Sequence, residues 1–376
     1  METVLHVPQG QFQLQRLPLR QPELLRAWDA ADEYLLQHVA EQRIPEHARL
    51  LIVNDGFGAL ALALAAWQPI AISDSWLSQQ ATRLNLAANQ LSAETVIFQD
   101  SLSPVTMAAD YVLLKIPKTL ALLEYQLHQL RPVLQPSTVI IAAGMVKNLS
   151  DNVWKLLEKL VGPTTTSLAV KKARLIKVKP DLGLVLPANP YPSVFGLPEH
   201  GWQVLNHANV FSRAGLDIGT RFLLQHLPEV VHGHWIDLGC GNGLVGMALA
   251  QRGPAASLCF VDESFMALAS ARHNYQQLAG RSGSAEFIAA DCLTGFAAAS
   301  ADGIVCNPPF HQQHGVGDQI ASQMFKQAWH VLKRGGELRV IGNRHLNYHF
   351  SLKKLFGHCH LLASNAKFVI FSCRKP

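Results

Sequence analysis

Three features of the sequence predict an α/β fold built twice, each half a largely parallel sheet covered by crossover helices. Short apolar runs alternate with helical stretches from residue 234 to the end. A glycine-rich turn, DLGCGNG at 237–243, separates the first run from the helix after it. The same order recurs in worn form from residue 50. The chain is 376 residues long and 49% apolar, enough for two ordinary cores.

In the second half, HWIDLG reads as a strand and GLVGMALAQRG as a helix. SLCFVD is a strand, SFMALASARHNYQQLA a helix, AEFIAAD and ADGIVCN strands. QIASQMFKQAWHVLK is a helix, and GELRVIGN and KFVIFSC are strands. Runs with little alternation fit strands buried on both faces. Residues 180–201 hold five prolines and three glycines. Their first nine alternate as an edge strand does, and the rest reads as a linker. The domains expected are 1–185, a linker at 186–201, and 202–376.

The first half lies over the second by its letters. RLLIVNDGFGALALALA matches HWIDLGCGNGLVGMALA, with Gly56 and Gly58 on Gly239 and Gly241, Asn54 on Asp237 and Leu60 on Gly243. Further on, Asp74 falls on Asp262, Arg83 on Arg272, Asn85 on Asn274 and Asp100 on Asp291. KIPK (115–118) replaces NPPF (307–310). This is an internal duplication whose first copy has lost its chemistry.

Cysteines 240, 259, 292, 306, 359 and 373 include no C-x-x-C pair, which argues for reduced thiols and against a cysteine zinc site. No apolar run is long enough to cross a bilayer, and the first residues lack the order of a signal peptide. A cytoplasmic protein is expected. Net charge is +5, but residues 141–180 carry eight Lys/Arg against two acids, and 333–376 carry nine against one. Two basic surfaces facing a polyanion are expected.

The chemistry gathers at strand ends. Gly239, Gly241 and Gly243 let the backbone turn sharply and approach a ligand. Asp237 ahead of them disfavours a pyrophosphate and suits a ligand bearing an ammonium or sulfonium. Asp262 ends the next strand and can accept both hydroxyls of a ribose. Asp291 can accept from an adenine amino group while the Cys292 N–H donates to the ring. Together they point to S-adenosylmethionine. Asn307 follows the fourth strand. Its side-chain oxygen and the Pro308 carbonyl can accept from one conjugated –NH2 group, favouring pyramidalisation and freeing its lone pair. Phe310 can stack on the planar group that carries the amine. His311 and His314 lack a third ligand at suitable spacing, and no metal is expected. These residues leave guanine, adenine, cytosine and glutamine open as substrates.

DLGCGNG, Asp262, Asp291 and NPPF together resemble class I S-adenosylmethionine-dependent amino-methyltransferases. With the worn first copy and NPPFHQQH, the chain resembles the ribosomal RNA guanine-N2 methyltransferases of the RsmC/RlmG type. AWDAADEYLLQ, KIPKTLALLE, GPTTTSLAVKKARLI, NHANVFSRAGLDIGTRF and NRHLNYHFSLKKLFG look closest to the large-subunit branch. The resemblance implies two tandem Rossmann-like methyltransferase domains. The C-terminal one would methylate guanine N2 in 23S rRNA and the degenerate N-terminal one would help to hold RNA. It also places Phe211, Arg213 and Thr220 in the cofactor and substrate wall, with Thr220 toward the cofactor and Arg213 toward RNA. Lys171, Lys172, Arg174, Arg344, Lys353 and Lys354 are candidate phosphate contacts. A small-subunit (16S) rRNA enzyme is the nearest alternative, and a DNA amino-methyltransferase or a protein glutamine methyltransferase stands further off.

Overall fold

The structure, a computed structural model, describes residues 2–19, 23–278, 280–309 and 314–376, with the backbone alone for 314–318. It divides into two compact units, Met1–Tyr191 and Pro192–Pro376.

The first unit opens with an antiparallel hairpin, β1 (Val4–Val7) and β2 (Gly10–Gln13), followed by α1 (Ala30–Gln42). Asp29 caps α1. Its side chain accepts from the Ala31 and Asp32 N–H groups while Asp32 accepts from Asp29 N–H, a reciprocal capping box. Then come β3 (Leu50–Val53), α2 (Ala59–Ala63), β4 (Ile70–Ser73), α3 (Trp76–Ala88), β5 (Ile97–Asp100) and β6 (Tyr111–Lys115). After them follow α4 (Leu120–Leu130), β7 (Val139–Met145), α5 (Asp151–Leu160), β8 (Thr164–Thr166) and β9 (Ala173–Val178). The sheet order is β5-β4-β3-β6-β7-β9-β8, parallel as far as β7, with β9 and β8 antiparallel.

The second unit repeats the plan. A hairpin, β10 (Ser193–Leu197) and β11 (Trp202–Asn206), precedes α6 (Ile218–Gln225). β12 (His234–Leu238), α7 (Leu244–Arg252), β13 (Ser257–Asp262), α8 (Phe265–Gln276), β14 (Ala285–Ala289) and β15 (Ala301–Cys306) follow. The unit ends with α9 (His314–Val331), β16 (Leu332–Asn343), α10 (Tyr348–Phe356), β17 (His360–Ser364) and β18 (Phe368–Arg374). The order β14-β13-β12-β15-β16-β18-β17 is that of the first sheet, strand for strand. Apolar clusters cover both faces of the second sheet, one around Phe260 and Leu249, the other around Phe325 and Ile304. The order reverses between β12 and β15, which opens a crevice beyond their carboxyl ends.

Hydrogen bonds fix the register between the copies, and it differs from the letter match. Val53 pairs with Ile72 and Leu114 where Leu238 pairs with Val261 and Cys306. Asp110 accepts the Arg49 N–H at 2.8 Å, and Asp302 accepts the His234 N–H at 2.8 Å. Gly58 and Gly243 open α2 and α7 with φ of 89° and 81°. Gly56 and Gly58 therefore correspond to Gly241 and Gly243, Asn54 to Gly239, and Ile52 to Asp237. Ser73, not Asp74, stands where Asp262 does, and Asp100 stands with Ala289. A G-x-G-x-G string matches itself when slid by two residues, so letters alone could not set the register. Lys115 keeps its match to Asn307.

The segment expected as an edge strand and linker also differs. No strand forms at 180–188, where Val185 is 95% exposed and no neighbouring strand receives the alternation. Half of 186–201 is β10 and a 3-10 turn at Pro198–His200.

Candidate active site

The glycine turn lies at the end of β12. Gly239, Gly241 and Gly243 have φ of 74°, 53° and 81°, a left-handed region that side chains disfavour. A Cβ on Gly243 would stand 2.8 Å from Ala271 of α8, whereas one on Gly241 would meet nothing within 4 Å. Gly243 is thus needed for packing, and Gly241 leaves open space on the crevice side.

Asp237 is buried and accepts the Gly246 N–H of α7 at 2.8 Å. Burial pushes its carboxyl up to about 8, against the pull of that N–H, and nearby Asp262 adds to the rise. Asp262 is partly exposed at the end of β13. Its oxygens accept Ser264 N–H at 3.0 Å and Gly241 N–H at 2.9 Å. Burial raises its pKa too, with those N–H groups opposing. A carboxylate has about four acceptor positions, so both oxygens keep capacity for a ligand's hydroxyls. Asp291 and Cys292 lie partly exposed beyond β14. Cys292 holds φ 49°, and its loop is tied to α9 by Gln327, which accepts Leu293 N–H at 2.8 Å and donates to Thr294 at 2.9 Å.

At the end of β15, Asn307 Nδ2 donates to Thr220 Oγ1 at 3.3 Å. Asn307 Oδ1 is buried and accepts no hydrogen bond from the described residues. A buried acceptor left empty costs about 1–3 kcal/mol, which a ligand donor would recover. Pro308, next in the chain, is buried. Phe310 and His311 lie outside the described residues, as does the His314 side chain. Among the described residues, no group of three His, Cys, Asp or Glu side chains is arranged for a metal.

The open turn at Gly241, the acceptor pair at Asp262 and the orphaned Asn307 oxygen fit S-adenosylmethionine and an amine beside it. An open depression of about 450 Å³ along β14, lined by Arg272, Gln276 and Glu286, includes none of these groups.

Sequence reasoning missed what holds the turn in place. Asn274 is fully buried. Its Oδ1 accepts Leu205 N–H at 2.8 Å, and its Nδ2 donates to Leu205 O at 2.9 Å and Asn242 O at 3.0 Å. Asn242 in turn donates to Asn206 at 2.9 Å. The signal was present in the letters as the repeated Asn85 and Asn274.

In the first unit the corresponding crevice is filled by side chains. Asn54, in the place of Gly239, donates to Lys115 O at 3.0 Å and pairs with Gln126. Asp55 folds back onto the N–H groups of Gly58, Leu60 and Ala61. Lys115 Nζ reaches Asp29 at 2.8 Å and Asp32 at 2.6 Å. Burial pushes the Lys115 ammonium down, but the Asp32 and Asp29 charges more than reverse it and hold it charged.

Of the basic candidates, Lys172, Arg344, Lys353 and Lys354 are exposed. Lys171 pairs with Glu33 at 2.7 Å, an exposed contact that is weak and easily exchanged. Arg174 is half-buried, and its Nε has no partner among the described residues. Arg213 donates to Ala208 O at 2.7 Å, which fastens the loop before α6, and Phe211 on that loop is exposed.

Residues 2–182 match the family described as RLMG N-terminal domain, and residues 201–372 match Methyltransferase small domain. The chain is 47% identical over 376 residues to the ribosomal RNA large subunit methyltransferase G of Aeromonas salmonicida, covering 100% of each. It is 50% identical over 362 residues to that of Erwinia tasmaniensis, covering 95% of each. Among solved structures, the T. thermophilus 16S rRNA N2 G1207 methyltransferase (RsmC), in complex with AdoMet and guanosine, has a TM-score of 0.75. At 22% identity over 100% of this chain and 98% of that one, the likeness is one of fold. With a duplicated sheet, family models matching both halves, and relatives near half identity over almost their whole length, the chain belongs to the ribosomal RNA large subunit methyltransferase G family.

Proposed function

We propose that this chain methylates the exocyclic N2 amine of one guanine in 23S rRNA, in the cytoplasm, with S-adenosylmethionine as donor. The observation that carries the reading is the buried Oδ1 of Asn307, which has no hydrogen-bond partner among the described residues, at the carboxyl end of β15, one strand from the glycine turn.

When bound, S-adenosylmethionine supplies a methyl group on a sulfonium. Asp262 would hold its ribose, Asp291 and Cys292 its adenine, and the turn at Gly239 and Gly241 its backbone-facing edge. Asn307 Oδ1 and the Pro308 carbonyl accept the two hydrogens of the guanine amine. That draws the nitrogen toward a pyramid and frees the lone pair that conjugation otherwise holds. The amine loses a proton as it gains the methyl. Neither oxygen is basic enough to keep it, so it passes to solvent. Phe310 would stack on the base, worth about 1–3 kcal/mol, which suits a loop base more than a paired one. Lys171, Lys172 and Arg174 of the first unit, and Arg213, Arg344, Lys353 and Lys354 of the second, would meet RNA phosphates.

Methyl-labelled cofactor, incubated with separated ribosomal RNAs lacking the modification, tests the substrate. Label is expected in the large-subunit RNA. Label in small-subunit RNA, in DNA or in protein instead would reassign it.

A further inference from the structure

We infer that Thr220 is a positioning residue for the methyl-transfer reaction, fixing which end of the Asn307 amide faces the substrate amine. The inference rests on the function proposed above and adds a residue to it.

The two ends of an asparagine amide have nearly the same shape and opposite hydrogen-bonding character. With Oδ1 toward the crevice, Asn307 accepts from an incoming amine. With Nδ2 there, two donors meet and the substrate is turned away. The Asn307 backbone does not choose between them. The choice falls to whatever binds the other end, and that is Thr220 Oγ1, 3.3 Å from Nδ2. A hydroxyl can donate or accept, and here the Thr220 oxygen accepts from Nδ2, so the amide nitrogen is the end turned toward α6. Thr220 is held in place in turn. Asp217 caps α6, and its Oδ2 accepts the Thr220 N–H at 3.0 Å. Oδ1, at the other end of the amide, is buried with no partner among the described residues.

The first unit gives independent support. Asp29 caps α1 as Asp217 caps α6, so Asp32 is to α1 what Thr220 is to α6, the third residue of the helix. Asp32 accepts from Lys115, which stands where Asn307 stands. In both copies an acceptor on the third helical residue binds a nitrogen donor from the strand end, although the strand-end chemistry has been replaced.

Full-length Thr220→Val, Thr220→Ala and Thr220→Ser proteins test this, read by steady-state methylation of unmodified large-subunit RNA and by calorimetric affinity for S-adenosylmethionine. Removing the acceptor should lower kcat about tenfold, the effect of one hydrogen bond on the barrier, with cofactor affinity unchanged. Serine, which keeps the hydroxyl, should restore kcat to within about twofold. If valine fails to fold, alanine carries the same reading. Unchanged kcat in a folded valine or alanine variant overturns the inference. So does weakened cofactor binding with kcat kept, which would make Thr220 a wall of the cofactor site. A wild-type protein that forms no N2-methylguanosine would instead overturn the proposed function.

Discussion

Asn85 and Asn274 hold the same three groups, one set in each unit. Asn85 Oδ1 accepts Gln15 N–H at 2.9 Å, and its Nδ2 donates to Gln15 O at 2.9 Å and Phe57 O at 2.8 Å. Asn274 does this with Leu205 and Asn242. Each clamps the segment that leads to the first helix, Gln15 just beyond β2 or Leu205 in β11, to the turn after the central strand. Both are fully buried. Replacing either with alanine strands three backbone groups, and about 3 kcal/mol of stability should be lost in urea unfolding. Asn274→Ala should also weaken cofactor binding, because the turn loses its brace, whereas Asn85→Ala should not. Equal effects on binding would show that the brace does not reach the site.

The filled crevice of the first unit makes a second prediction. Full-length protein should bind one S-adenosylmethionine per chain, and Asp262→Ala should remove it without exposing another site. A stoichiometry of two in calorimetry would contradict the filling by Asn54, Asp55 and Lys115. Lys115→Met should cost about 3 kcal/mol, because it leaves Asp32 buried without its counter-charge.

The buried carboxyl of Asp237 sets a pH dependence. Its pKa is pushed from 3.8 to about 8 in the folded chain. Between those values the folded chain keeps a proton that the unfolded chain has released. The stability this group lends is full below 3.8 and is lost as pH rises through about 8. A cationic ligand beside it favours the carboxylate. Cofactor binding below pH 8 should therefore release a proton, and affinity should rise with pH and level off above about 8. Calorimetry in two buffers of different ionisation enthalpy reads this directly. Asp237→Asn should bind more weakly and without that pH slope; affinity falling as pH rises would contradict the assignment.

Much of the second unit was legible in the sequence because its central strands are continuous apolar runs, such as Ile304–Cys306, and its turn is spelled in glycine. β17 was not, because an edge strand with exposed Leu361 and Leu362 carries no burial pattern. β10 was hidden among prolines. The match of the two copies was legible as order but not as register, since a repeated glycine pattern slides on itself while hydrogen bonds such as Asp110 to Arg49 do not. Asp262 and Asn307 were found because each ends a strand. The Thr220–Asn307 contact spans 87 residues and the Asn274 clamp 69, and only the fold brings such pairs together.

In the proposed function Asn307 serves the transfer of a methyl group to guanine N2. Nucleoside mass spectrometry of large-subunit RNA, treated with wild-type or Asn307→Ala protein and S-adenosylmethionine, tests it most directly. N2-methylguanosine should form with the wild type and not with the variant, while the variant binds the cofactor as before. Formation of N6-methyladenosine, undiminished N2-methylguanosine with the variant, or loss of cofactor binding along with activity would contradict it.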